Sequence, residues 1–310
     1  YKDTRLQDAP HYLTRYETKN GLLYALNNRS KNPYPTSEMG DKALFAKCCA
    51  DHGIPFPQTL AAVRDGSIET FFPPQDFEKD LFCKRQRGMG ATGTIAFRYV
   101  APGTYLGKDG EGHDLAGVFD HLKTDSTDHP MLVQPWLKNH PSIADLAIDS
   151  LITIRVVTCQ NERGAPEVTL AMLRLLTKLE PEWQDLPDEE YAAPINLTSG
   201  ELGEMTGDNL MTSDLRYKNH PATRTPIKGR ILKEWPAIRD LAIRTHQAFP
   251  HRLLVGWAIA LTKTRPVMLE GNTNFDVMVL QQVHAATTAR SRPGRHMKLH
   301  TVGQRAARKA

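Results

Sequence analysis

The stretch LFCKRQRGMGATG, residues 81–93, runs straight into TIAFRYV, residues 94–100, and this junction decides the class of fold. Gly88, Gly90 and Gly93 stand in the spacing G-x-G-x-x-G. In a dinucleotide-binding turn that spacing opens a helix whose N-terminus holds the pyrophosphate, with an acid about 20 residues further on for the ribose. Here the residues after Gly93 are β-branched and aromatic, which is a strand pattern. The unit is therefore strand, glycine loop, strand. Such a unit is either an ordinary glycine-rich hairpin or a flap whose backbone N–H groups close over phosphates. Lys84 ends the incoming strand within reach of a phosphate, and Arg85 and Arg87 add positive charge at the mouth of the loop.

Working outward, Ser37 is a candidate N-cap for a helix with Ala43, Leu44, Ala46, Lys47 and Ala50, running to Gly53. Ile54-Pro55-Phe56-Pro57 ends it, since a residue before proline resists helical geometry. Cys48 and Cys49 fall on this helix, one expected inside and the other nearer the surface. Leu60–Val63, Met131–Leu137, Leu151–Cys159, Val168–Leu176, Leu253–Thr262 and Val267–Leu269 read as strands, and Leu115–Leu122 as a helix. Trp235, Ile238, Leu241, Ala242, Thr245 and Phe249 recur at helical spacing over Lys233–Phe249. Strands come in adjacent pairs rather than alternating with helices, so an α+β fold is expected rather than a doubly wound parallel sheet.

A second constellation closes the apolar pattern. LLVGWAIALTKTRPVMLEGNTNFD, residues 253–276, holds two strands joined by a turn at Lys263–Arg265, the second ending in Glu270-Gly271-Asn272. A carboxylate and a carboxamide two apart on a strand point the same way, and both are hard oxygen donors of the kind Mg²⁺ takes. A strand simply ending in turn residues has the same letters.

Composition bounds the function. At 310 residues the chain has room for two domains of about 150 residues. Its 40% hydrophobic and 24% charged residues exclude wholesale disorder and collagen. Four cysteines without a C-x-x-C pair argue against a disulfide scaffold, a zinc ribbon and a thioredoxin dithiol. No apolar run approaches the roughly 18 residues of a membrane span, and no signal stretch opens the chain, so a cytoplasmic protein is expected. The net charge of +4 is unevenly spread: from Ala285 on there are seven lysines and arginines and no acid, leaving the rest of the chain acidic. That tail reads as a mobile, solvated basic extension, with contact to nucleic acid or an anionic membrane surface as the alternative; no aromatic residue interleaves with its charges to suggest base stacking, so a nucleic-acid partner is not expected. The acidic run Glu180–Glu190 reads as a solvated loop, and His113, His121, His129 and His140 are too irregularly spread for a zinc site.

Taken in order, DKALFAKCCADHGIP (41–55), LFCKRQRGMGATG (81–93), LVQPWLKNHP (132–141), SLITIRVVT (150–158), HPATRTPIKG (220–229) and VGWAIALTKTRPVMLEGN (255–272) resemble the ATP-grasp superfamily. More narrowly they resemble its sugar-transfer-associated branch, over residues of about 37 to 282. The resemblance implies two α+β lobes gripping ATP: a lead-in at 1–36, a first lobe at 37–130, a second at 131–284 and the basic tail at 285–310. It further implies that Gln134 and the backbone of Trp136 and Leu137 bind adenine, and that Lys42 and Lys84 hold the phosphates under the flap of Gly88, Gly90 and Gly93. Glu270 and Asn272 would bind Mg²⁺, and Arg155 would face the transferred phosphate. The implied reaction activates a small-molecule carboxylate as an acyl phosphate and couples it to an amine or another nucleophile; a homodimer is left open.

The sequence departs from that pattern twice. Ala258 stands where the resemblance leads one to expect a metal-binding aspartate, and 177–196 is acidic and bulky where a glycine-rich stretch is expected. The first departure sets an alternative beside the ligase: a nucleotide-binding protein with impaired catalysis and a regulatory or scaffolding role. Asp276 lies close enough in sequence to stand in for the missing ligand, although an aspartate there more often caps a helix.

Overall fold

In a computed structural model of the chain, residues 11–28, 30–34, 37–88, 93–108, 110–127, 129–147, 150–176, 190–207 and 215–307 are described. Strand pairing within them is antiparallel and divides between two sheets. The first holds β1 (Ala61–Arg64), β2 (Ser67–Thr70), β3 (Leu81–Arg85), β4 (Ile95–Ala101), β5 (Thr104–Leu106), β6 (Gly112–His113) and β7 (Met131–Pro135), in the order β2-β1-β7-β3-β4-β5-β6. The second holds β8 (Thr153–Gln160), β9 (Pro166–Leu176), β10 (Glu190–Pro194), β11 (Thr206–Gly207), β12 (Leu254–Leu261) and β13 (Pro266–Asn272), in the order β11-β10-β9-β8-β12-β13. The helices are α1 (Arg15–Glu17), α2 (Leu23–Asn27), α3 (Lys42–Asp51), α4 (Leu115–Ser126), α5 (Trp235–Ala248), α6 (Val277–His284) and α7 (Arg292–Ala307). The result is the expected α+β fold of two lobes.

Alternation along β3 explains how the first lobe faces two ways. Leu81 and Cys83 are fully buried among Phe77, Phe97, Val118 and Leu122, on the side that α4 covers. Phe82 and Lys84 therefore take the opposite face. β3 and β4 pair across the glycine loop with Cys83 opposite Ile95, so the strand–loop–strand reading stands and the dinucleotide turn does not. This sheet continues through β7, past residue 130 at which the sequence reading divides the lobes, because β7 lies between β1 and β3.

In the second lobe β12 is buried on both faces, which is why it reads as an unbroken apolar run. On one face, Trp257 packs against Phe45 of α3 and Phe249 beyond α5, with ring centroids 6.4 and 6.0 Å away. Each such aromatic or aliphatic side chain contributes about 1.5–3 kcal/mol of burial. Helix α3, on the first-lobe side of the sequence division, thus packs under the second sheet. Several local expectations need correcting. The N-cap of α3 is Asp41 rather than Ser37, and Cys48 and Cys49 are both buried. The basic tail includes a helix, α7, whose His296 and Met297 are buried. Arg292 anchors it by pairing with Glu162 and Glu167 at the β8–β9 turn.

Candidate functional site

The site begins at a capped helix. The Asp41 carboxylate accepts the Ala43 and Leu44 N–H groups, both at 3.1 Å, and so caps α3. It also accepts from Gln86 Nε2 at 2.9 Å and from Arg87 Nε at 3.1 Å, the two residues that follow β3. Burial pushes this carboxyl up, but the Leu44, Gln86 and Arg87 bonds outweigh it and hold the group below its ordinary value. The first residue of α3, Lys42, is drawn to the same place: its backbone N–H donates to Gln86 O at 3.0 Å and its Nζ to Gly88 O at 3.1 Å. The N-terminus of α3 and the mouth of the glycine loop are thereby one unit.

Lys84 and Phe82 share the other face of β3. Lys84 Nζ lies 5.9 Å from the centre of the Phe56 ring, and Phe82 meets the Trp136 ring edge-on at 5.5 Å. Burial, reinforced by the neighbouring Lys42 ammonium and opposed by Glu270, brings the Lys84 pKa down to about 8. Burial also lowers that of Lys42, with Glu270 and Asp41 opposing. The guanidinium of Arg155 is lowered by burial too, again with Glu270 opposing. One carboxylate thus acts on three cations from both lobes.

Strand register sets the floor. Ala258 pairs with Arg155 on one side and Glu270 on the other, so the three form a cross-strand row on a single face. Arg155 Nη1 donates to Gly256 O at 3.0 Å, and its Nη2 lies 3.8 Å from Glu270 Oε1. Asn272, opposite Gly256, follows on the same face as Glu270. Between them Gly271 faces the core, where an added Cβ would come within 2.4 Å of Met39 Sδ and 2.7 Å of the Trp257 ring. A side chain there would lift the strand that presents both oxygen donors.

These residues fit one hard cation. Glu270 is half exposed toward the cleft, and Asn272 Oδ1 accepts the Asn274 N–H at 2.8 Å, which fixes the oxygen and keeps its second lone pair. Phosphate and water oxygens can complete an octahedron around such a pair. Ala258 offers no donor, and Asp276 does not replace one: it caps α6 through Met278 N at 2.8 Å and pairs with Arg15 at 3.6 Å.

At the junction of the lobes, Gln134 is buried and directs its amide nitrogen at Pro57 O and Thr59 Oγ1, 3.4 and 3.3 Å away. The Trp136 N–H donates to Asp80 O at 2.8 Å, so that donor serves the first lobe. Leu137 follows directly. Gly88 and Gly93 have φ of +146° and +71°, and a Cβ on Gly93 would fall 2.4 Å from Arg85 Nε. Gly90 lies outside the described residues, as does most of the acidic stretch; its last member, Glu190, is buried against Arg174. Sequence reasoning missed Asp41, Phe56 and Phe82. Phe82 was within reach, being two residues before Lys84 on one strand, whereas the sequence reading placed the cap of this helix at Ser37 and passed over Asp41.

Among solved structures, D-alanine–D-alanine ligase from Bacillus anthracis superposes with a TM-score of 0.49 at 11% identity, covering 87% of this chain and 69% of that one. L-amino acid ligase from Bacillus licheniformis gives 0.45 at 10%, covering 84% and 46%. N5-carboxyaminoimidazole ribonucleotide synthetase from Thermotoga maritima gives 0.38 at 11%, covering 76% and 42%. The chain thus spans less than half the length of the latter two. No curated protein gives a significant match. The family described as sugar-transfer-associated ATP-grasp matches over residues 21–295, most of the chain, and to that family this protein belongs.

Proposed function

We propose that the chain is an ATP- and Mg²⁺-dependent ligase that joins a small-molecule carboxylic acid to an amine or a similar nucleophile. The observation that carries the reading is the meeting of Lys42, Lys84 and Arg155 around Glu270, in a cleft between two ATP-grasp lobes. Phosphoryl transfer asks a protein for positioning and charge neutralisation more than for covalent participation, and this cleft is equipped for that. Lys42 and Lys84 hold the phosphates beneath the flap, and adenine lies at Gln134–Leu137. Glu270 and Asn272 would hold Mg²⁺, which would neutralise phosphate charge when bound. A carboxylate oxygen of the acid attacks the terminal phosphorus as its bond to the bridging oxygen breaks, leaving the electron pair on ADP. Arg155 steadies the negative charge on the phosphoryl oxygens. The nucleophile then attacks the acyl carbon, phosphate departs, and the nitrogen sheds a proton.

The test is to incubate the protein with ATP, Mg²⁺, hydroxylamine and a panel of small carboxylic acids. ADP release together with hydroxamate from one acid is the expected outcome. ADP release without hydroxamate from any acid speaks against an acyl phosphate. Tight ATP binding with no ADP release supports the second reading, a nucleotide-binding protein with impaired catalysis and a regulatory or scaffolding role. Ala258 favours that reading, since beside Glu270 it presents a methyl group and no oxygen.

A further inference from the structure

The row Arg155–Ala258–Glu270 has a consequence for how many cations the cleft holds. Neighbouring side chains on such a row start about 4.5–5.5 Å apart, so Arg155 and Glu270 stand two strand spacings from one another. The guanidinium nonetheless comes within 3.8 Å of the carboxylate. It crosses because the middle residue ends at its Cβ, leaving the space above Ala258 to the arginine. Arg155 is held there, largely buried, by its bond to Gly256 O.

Two divalent cations side by side need anionic oxygens on both, because each hard cation seeks about six oxygen ligands. Among the described residues the row offers a single carboxylate, Glu270, with the Asn272 carboxamide next to it. On its other side stands a fixed positive charge. We infer that the cleft takes its triphosphate with one divalent cation, held by Glu270 and Asn272, and that the Arg155 guanidinium supplies the positive charge on the Ala258 side. The inference rests on the ATP-binding reading above. A guanidinium suits that place, since it stays charged at any working pH and its planar fork matches phosphate oxygens.

Mn²⁺ is the probe. The whole chain is dialysed against Mn²⁺ and a non-hydrolysable ATP analogue, and protein-bound metal is counted by electron paramagnetic resonance. One Mn²⁺ per bound nucleotide is expected for the wild type, and two for A258D. R155M should keep the single Mn²⁺ while losing about tenfold or more in analogue affinity, the order expected for a charged hydrogen bond, and R155K should recover part of it. Two Mn²⁺ per nucleotide in the wild type overturns the inference while leaving the ATP-binding reading in place. So does an R155M protein that folds and binds as tightly as the wild type. No analogue binding at any Mn²⁺ concentration overturns the ATP-binding reading itself, and this inference with it.

Discussion

Burial and the Lys42 ammonium hold Lys84 at a pKa of about 8, well under its ordinary 10.5. Between those two values the unfolded chain binds more protons than the folded one, so this group favours folding increasingly as pH rises from about 8 toward 10.5. Phosphate binding asks for the opposite form: a triphosphate needs the ammonium and draws a proton onto it. Nucleotide affinity should therefore hold to about pH 8 and then fall by up to tenfold per pH unit. Calorimetry in buffers of different ionisation enthalpy should show proton uptake on binding near pH 8. Lys84→Met should bind weakly with a flat profile; a flat profile in the wild type would remove Lys84 from the phosphates. The place of Lys84, on a strand that leads into a glycine loop, was legible because an apolar run precedes the loop and a β-branched run follows it. Asp41 was not, because what distinguishes it is its reach to Gln86 and Arg87, 45 and 46 positions away. Ser37 has the right chemistry for a cap but lies in a separate turn with Gly40, before α3 begins at Lys42.

At the scale of elements, β13 depends on a residue with no side chain. Gly271→Ala would drive a Cβ to 2.4 Å from Met39 Sδ and 2.7 Å from the Trp257 ring. The thioether can swing aside, but Trp257 is fully buried and tied through Nε1 to Thr158 Oγ1 at 2.7 Å. Urea unfolding should show a loss of about 1–3 kcal/mol, the usual cost of overpacking, together with weaker Mn²⁺ binding as Glu270 and Asn272 shift. Gly112→Ala, where an added Cβ meets nothing, should stay within about 0.5 kcal/mol of wild type. Of the long strands, β12 could be read in the sequence because burial makes it apolar throughout, and β8 and β9 because β-branched and aliphatic residues dominate them. β2 could not: its four residues are all exposed, so no alternation marks it. The anchor of α7 was equally hidden, since Arg292 finds its acids 125 and 130 positions away. Composition alone turned that helix into a tail.

Across the whole molecule, a buried polar knot ties the chain just before α3 to the turn just before β12. Glu38 is fully buried and receives Arg252 through two bonds of 2.7 Å, with His251 Nε2 3.1 Å away. Arg252 Nη1 donates in turn to Asn27 O, and the Asn27 side chain accepts from the Leu253 and Leu254 N–H groups and donates to Leu254 O and Thr273 O. The chain that delivers Lys42 and the turn that feeds β12 are thus fastened to one another. Burial pushes the Glu38 carboxyl up, yet its bonds to His251 and Arg252 hold it down at about 2, below its ordinary 4.5. A depressed carboxyl stabilises in full above the ordinary value and loses that stabilisation as pH falls from about 4.5 to 2. Glu38→Ala strands Arg252 without its counter-charge and should cost about 3–5 kcal/mol in urea unfolding at pH 7. Glu38→Gln keeps the shape and should flatten the acid limb of the stability curve over that same range. Because the knot fastens the chain entering α3 to the turn entering β12, Glu38→Gln should also weaken nucleotide binding while the pH dependence from Lys84 survives; a variant that binds as tightly as wild type would mean that Lys42 is held against β12 and β13 by something other than Glu38.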